Sequence, residues 1–86
     1  MNIGYSRQFK KQYKKLSVLN QKKFLKQVKI FIENPYSSVL HIHKLHGPFK
    51  NHMSINITGD IRAVFVYIGL EDIDFVAIGS HSELYS

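Results

Sequence analysis

The chain has no cysteine, so neither a disulfide framework nor a thiolate metal site is open to it, and it suits a reducing compartment such as the cytoplasm. It has no apolar run near the ~20 residues of a membrane span, and residues 1–10 lack the apolar stretch of a secretory signal. These absences predict a soluble, unprocessed, cytoplasmic protein. No internal repeat, low-complexity tract or linker breaks the 86 residues, which suffice for one domain of two or three packed elements. Acid is missing from residues 1–32, which hold Arg7 and eight lysines and so carry +9, whereas residues 33–86 carry −3. Such a basic block fits a phosphate backbone or an acidic partner; it equally fits a solvated lysine face that keeps a small domain soluble.

What is present divides into helical and extended halves. Asn2 to Tyr5 reads as an edge strand, and Ser6 can cap a helix whose Phe9, Tyr13 and Leu16 form one apolar stripe. Ser17 to Asn20 breaks it, and a second helix is expected from about Gln21 to Glu33, with Phe24, Leu25, Val28, Phe31 and Ile32 inward and lysines between them. Asn34-Pro35 ends it. From residue 52 the period becomes two: Met53, Ile55 and Ile57 alternate with His52, Ser54 and Asn56. Thr58-Gly59-Asp60 is a turn, Ile61 to Ile68 a second strand interrupted by Arg62, Gly69 to Asp72 a turn, and Ile73 to Ile78 a third strand. The pattern predicts an α+β domain, a helical hairpin laid on one face of an antiparallel meander.

Five histidines stand at 41, 43, 46, 52 and 81. The spacing His41-x-His43-x-x-His46 is a weak metal signal, with no further ligand at a usual spacing, and no metal is assigned. Arg62, inside an apolar strand, must send its guanidinium to a carboxylate such as Asp60 or Asp74, to solvent, or to a bound anion. His43, Asp60, Arg62, His81 and Tyr85 come from one loop, one hairpin and one strand end, which a meander draws together. Cleavage of RNA uses such groups: a base for the 2′-hydroxyl, a cation for the phosphorane-like transition state, and an acid for the departing 5′ oxygen. Tyr85 or Phe49 can stack a base, Lys44, Lys50 and Asn56 are further candidates for substrate contact, and the lysine helices could hold flanking phosphates.

Taken with the lysine-rich helical half, "HKLHG" (43–47), "SINITGDIRAVF" (54–65) and "IGSHSELY" (78–85) resemble the RelE/ParE superfamily of bacterial toxins, in particular its YafQ-like branch. The resemblance covers essentially the whole chain. It implies a compact α+β toxin, made with a cognate antitoxin, that enters the ribosomal A site and cuts the messenger there without a metal or other cofactor. Operator DNA would be bound only through the antitoxin complex, and no membrane is involved. By the same resemblance His43, Asp60, His81 and Tyr85 fall on motif positions, with His81 and Asp60 the acid/base candidates, and Arg62 resembles the arginine that faces the scissile phosphate. One position departs: the branch has a histidine four residues before the aspartate, and here that residue is Asn56. An amide cannot exchange a proton usefully at neutral pH, although it can orient a phosphate or a base. His52 lies about 13 Å along the same strand, too far for a simple replacement. Two alternatives of other classes are a gyrase-binding toxin without nuclease activity, like the ParE arm, and a degenerate antitoxin-binding module.

Overall fold

The computed structural model describes residues 1–85. In chain order it contains β1 (Ile3–Tyr5), α1 (Arg7–Lys14), α2 (Val18–Glu33), β2 (His43–Lys44), β3 (Met53–Asn56), β4 (Ile61–Tyr67), β5 (Ile73–Ser80) and α3 (His81–Tyr85), with short 3-10 turns at Ser38–Leu40 and Gly47–Phe49. Both long helices start on a serine whose hydroxyl accepts a hydrogen bond from the third residue on: Phe9 N to Ser6 Oγ at 3.0 Å, and Asn20 N to Ser17 Oγ at 3.1 Å. Each cap satisfies an N–H that the first helical turn otherwise leaves unpaired. Because Ser17 rather than Asn20 is the cap, α2 begins three residues earlier than the apolar stripe suggests. Leu25 and Ile32, expected inward, are more than half exposed, so the buried stripe of α2 narrows to Phe24, Val28 and Phe31.

The five strands form one sheet in the order β1-β5-β4-β3-β2. The meander β3-β4-β5 is antiparallel, as its short turns require, while β1 joins β5 in parallel and makes the sheet mixed. The two-residue β2 lies inside a segment read from sequence as loop, and pairs antiparallel with β3. Between the helices and the sheet lies the core. Phe24 sits at its centre, with ring centroids 5.3 Å from Phe9, 5.2 Å from Phe75 and 5.6 Å from Tyr13, and Phe31 meets Phe65 at 5.2 Å. Two helix glutamines tie the layers: Gln12 Oε1 accepts from Ile78 N at 2.9 Å, and Gln27 Nε2 donates to Asn56 O at 2.8 Å.

The face of the sheet away from these helices is also covered in part. Ser54, Val64, Ala77 and Gly79 are buried, yet stand outside the helix-side core. Over them lie α3 and the 45–52 loop, so Ser54, on the polar side of the alternation, is only 2% exposed. Leu84 lies over this second face: a Cβ built on Gly79 would stand 3.6 Å from Leu84 Cδ2 and 3.2 Å from Glu83 Oε1. The last helix thus packs directly on Gly79, where a side chain would press on the Glu83 carboxylate.

Candidate active site

The groove on this second face begins with cross-strand register. His43, Ser54, Val64 and Ala77 form one row across β2, β3, β4 and β5, and Asn56, Arg62 and Gly79 form the next. Directly opposed residues share a face of the sheet, so both rows look toward α3. Lys44 pairs with Met53 in the alternate row and belongs to the helix-side face at the sheet's edge.

The β3-β4 turn is held from several sides. Thr58 Oγ1 accepts from the N–H groups of Asp60 at 3.1 Å and Ile61 at 2.9 Å. Arg62 Nη1 donates to the carbonyls of Thr58 at 3.0 Å, Gly59 at 3.1 Å and Ile61 at 3.4 Å. Among the described residues, its hydrogen-bond partners are therefore turn carbonyls rather than the carboxylates of Asp60 or Asp74. The reason is local: a guanidinium on the second residue after the turn spans the converging carbonyls without leaving its strand. His81 N donates to Asp60 O at 3.2 Å, which joins the start of α3 to the same turn.

A cap absent from the sequence reading positions the C-terminal residues. Ser80 Oγ accepts from Glu83 N at 3.2 Å, and Glu83 Oε1 accepts from Ser80 N at 2.8 Å, a reciprocal capping box written in the sequence as Ser-His-Ser-Glu. Hydrogen bonds from the Ser80 backbone and then its side chain hold the Glu83 carboxyl below the usual carboxylate range, with a smaller contribution from Lys15. Glu83 is thus structural. The box winds residues 81–85 into a helical turn that sets His81 and Tyr85 at i, i+4, their rings 4.7 Å apart and edge to face at 68°. Phe49 approaches Tyr85 at 6.1 Å from the opposite wall and meets His52 at 6.0 Å.

That wall is the 45–52 loop, folded back by left-handed conformations at Gly47 (φ 66°) and Asn51 (φ 70°) and closed by Leu45 N to His52 O at 2.9 Å. Loop and helix enclose a cavity of about 380 Å³ in which His46, Phe49, His81, Leu84 and Tyr85 meet. The structure therefore brings together His81, Tyr85 and Phe49, with the Asp60 backbone joined to His81 and with Arg62 and Asn56 side by side on the adjoining row. His43 stands further off on β2; His46, which the sequence reading treated only within the histidine cluster, lines the cavity instead. The signal available for it was Gly47-Pro48, a turn pair that reverses the chain immediately after it. Lys50 is exposed on the loop, its carbonyl 3.1 Å from His52 Nδ1. Asn56 Oδ1 is buried with no hydrogen-bond partner, an acceptor in need of a donor. Among the described residues no three His, Asp or Glu side chains are grouped to hold a metal ion.

The lysines of α1 and α2 are exposed on the helix layer, behind the sheet from this cavity. Phosphates they contact cannot be those beside His81, contrary to the expectation that the helices flank the site. Lys15, just past α1, comes nearer, since it and Glu83 border a cleft beside Gly79.

The sequence and fold both have counterparts among known proteins. The family described as "Bacterial toxin of type II toxin-antitoxin system, YafQ" matches residues 1–86. The chain belongs to the YafQ toxin family. Solved structures agree with the YafQ fold: YafQ from E. coli is 24% identical, with a TM-score of 0.78 over 99% of this chain and 98% of that one. A copper-bound mutant toxin from Helicobacter pylori is 25% identical, with a TM-score of 0.77 and 99% of each chain covered. In another similar structure E. coli YafQ is bound to DinJ in a toxin-antitoxin complex, at 24% identity, TM-score 0.76, and 99% and 97% coverage. No curated protein matches. As a YafQ-family toxin the chain has helices packed on a mixed five-stranded sheet, the architecture these structures share. Among the described residues no helix is long and apolar enough to cross a membrane.

Proposed function

We propose that this toxin is a metal-independent endoribonuclease that cuts messenger in the ribosomal A site and is silenced by a cognate antitoxin. The observation that carries the reading is the junction of α3 with the β3-β4 turn: His81 and Asp60 are joined through the backbone at 3.2 Å, and the Tyr85 ring stands 4.7 Å from the imidazole. Histidine titrates near neutrality and can move a proton in either direction. One of His81 and Asp60 takes the 2′-hydroxyl proton, the 2′ oxygen attacks the adjacent phosphorus, and the bond to the 5′ oxygen breaks. The other group protonates that oxygen, leaving a 2′,3′-cyclic phosphate and a 5′-hydroxyl. Arg62, anchored at the turn, faces the phosphate whose negative charge grows in the transition state.

Tyr85 and Phe49, on opposite walls of the cavity, suit a base withdrawn from a strand, since every base offers a π-face. Asn56, paired with Arg62 across β3 and β4, is assigned to substrate contact through its side-chain amide. His43, Lys44 and Lys50, on the edge strand and loop, are assigned to the flanking messenger rather than to the reacting phosphate. The antitoxin is inferred from family membership and from the E. coli YafQ complex with DinJ.

The experiment is induced expression of wild type and His81→Ala, with primer extension on translated messenger. Cleavage within codons by the wild type and none by His81→Ala, with an unchanged circular dichroism spectrum, is the expected result. An unaltered cleavage pattern in the variant, or intact messenger with double-strand DNA breaks on wild-type induction, would overturn the reading.

A further inference from the structure

The end of the molecule farthest along β4 from Arg62 has a surface that the proposed chemistry does not use. Leu70, at the tip of the β4-β5 turn, is fully exposed; Tyr36, after the end of α2, is 92% exposed. With Ile32 and Tyr67 they border a depression of about 380 Å³, and Tyr36 and Tyr67 are shared with a second of about 480 Å³ that runs on toward Ile42 and Met53. Ile32, Tyr36, Tyr67 and Leu70 are each about half exposed or more, and large exposed side chains grouped at one end of a small domain mark a contact site.

Hydrogen bonds pin the backbone on both sides of this surface. Asn34 Oδ1 accepts from Tyr36 N at 3.1 Å and Asn34 O from Ser37 N at 3.0 Å, which fixes the turn that presents Tyr36. On the other side, Ile68 N donates to Asp72 O at 3.0 Å across the turn that carries Leu70. Binding then orders mainly side chains rather than the backbone that carries them.

Charge distinguishes the occupant. In a chain of net charge +6, residues 30–42 and 63–75 contain no lysine or arginine, and they contribute Glu33, Glu71, Asp72 and Asp74. Glu71 lines the first depression and Glu33 follows Ile32 at the end of α2. The Met1 ammonium lines the same depression, but the four acids outnumber it, so this end favours a cationic segment over an acidic one.

We propose that this end is a docking surface for a second protein, which inserts an apolar segment flanked by lysine or arginine. Two apolar side chains fill the depressions on either side of Tyr36, and the flanking cations meet Glu33 and Glu71. The strand distance from Arg62 to Tyr67, about 17 Å, leaves the His81 cavity open while the surface is occupied.

Selection of phage-displayed random 12-residue peptides against the full chain tests this. Enriched peptides should combine apolar residues with lysine or arginine, and a synthetic copy should perturb NMR signals of Tyr36, Tyr67 and Leu70 while leaving His81 and Tyr85 unchanged. Its affinity should fall at least tenfold in the double variant Tyr36→Ser, Leu70→Ser, and in Glu33→Lys, Glu71→Lys. Because Tyr36 and Leu70 are almost wholly exposed, the first pair should keep the wild-type melting temperature. Absence of enrichment, acidic winners, or peptides whose affinity these variants leave unchanged would overturn the proposal. Self-association abolished by the first double variant would also overturn it, by making the occupant a second copy.

Discussion

Replacement of Ser80 by alanine isolates the device that holds His81 in place. The substitution removes the hydroxyl that accepts from Glu83 N at 3.2 Å but keeps the Ser80 N–H that donates to Glu83 Oε1 at 2.8 Å. Loss of an N-cap hydroxyl costs about 1 kcal/mol. With tenfold in population per ~1.4 kcal/mol, the lifted form of α3 should become about fivefold more populated. No residue of α3 is buried and none belongs to the helix-side core, so the midpoint of global unfolding should barely move. Amide hydrogen exchange reads the difference: Tyr85 should exchange about fivefold faster while Phe65 and Phe75 keep wild-type protection.

A pH series adds an independent check. The Glu83 carboxyl is held below its ordinary range in the folded protein, so the stability it contributes is fully present above the unfolded pKa. It is lost as the pH falls through the lowered folded value. The edge contact of Tyr85 shifts the His81 ring protons, and in the wild type that shift should decay on acidification below the ordinary carboxylate range. In Glu83→Gln the acid-side decay should be absent. Unchanged exchange at Tyr85 in Ser80→Ala, or a fall in global stability as large as the local one, would refute the reasoning.

Phe24→Ala, which empties the centre of the aromatic cluster, should destabilise the fold by about 3–5 kcal/mol in urea unfolding. Arg62→Lys exchanges a fork bonded to three turn carbonyls for a point charge; it should lower single-turnover RNA cleavage by roughly a hundredfold, against a loss of only about 1 kcal/mol in stability. Asn56→Ala removes an acceptor that is already desolvated and unpaired, so thermal stability should stay within about 0.5 kcal/mol of wild type while RNA binding weakens. Asn56→His should raise the cleavage rate by adding a titratable group beside Arg62.

The residues differ in how openly they announced their places. Ser6 and Phe9, Phe24 with Val28 and Phe31, and the alternation at Met53, Ile55 and Ile57 are local signals: helical and strand periods follow from backbone geometry over a few residues, and each element exists where that geometry points. The narrower stripe of α2 was not legible, because which of Phe24 and Leu25 turns inward depends on where the sheet lies. Nor was β2, a two-residue strand that exists only because β3 offers it partners. The Ser80 and Glu83 box was legible in principle, as serine followed three residues later by glutamate, but its apolar sequel is a single leucine.

What the amino-acid sequence determined on its own is the two-part plan of helices followed by strands, the turns at Gly59 and Gly69, and the presence of His81, Asp60, Arg62 and Tyr85 in one chain. Periodicity, capping and turn chemistry act over a handful of residues, so no distant contact is needed to read them. Only the tertiary structure decided that the lysine helices stand behind the sheet from the cavity, and that His46 rather than His43 lines it. The same is true of Arg62 Nη1 on carbonyls in place of a carboxylate, and of the second face of the sheet closed by α3. Each of these depends on strand register and on which face a segment returns to, and those are fixed by burying Phe24, Phe31, Phe65 and Phe75 together.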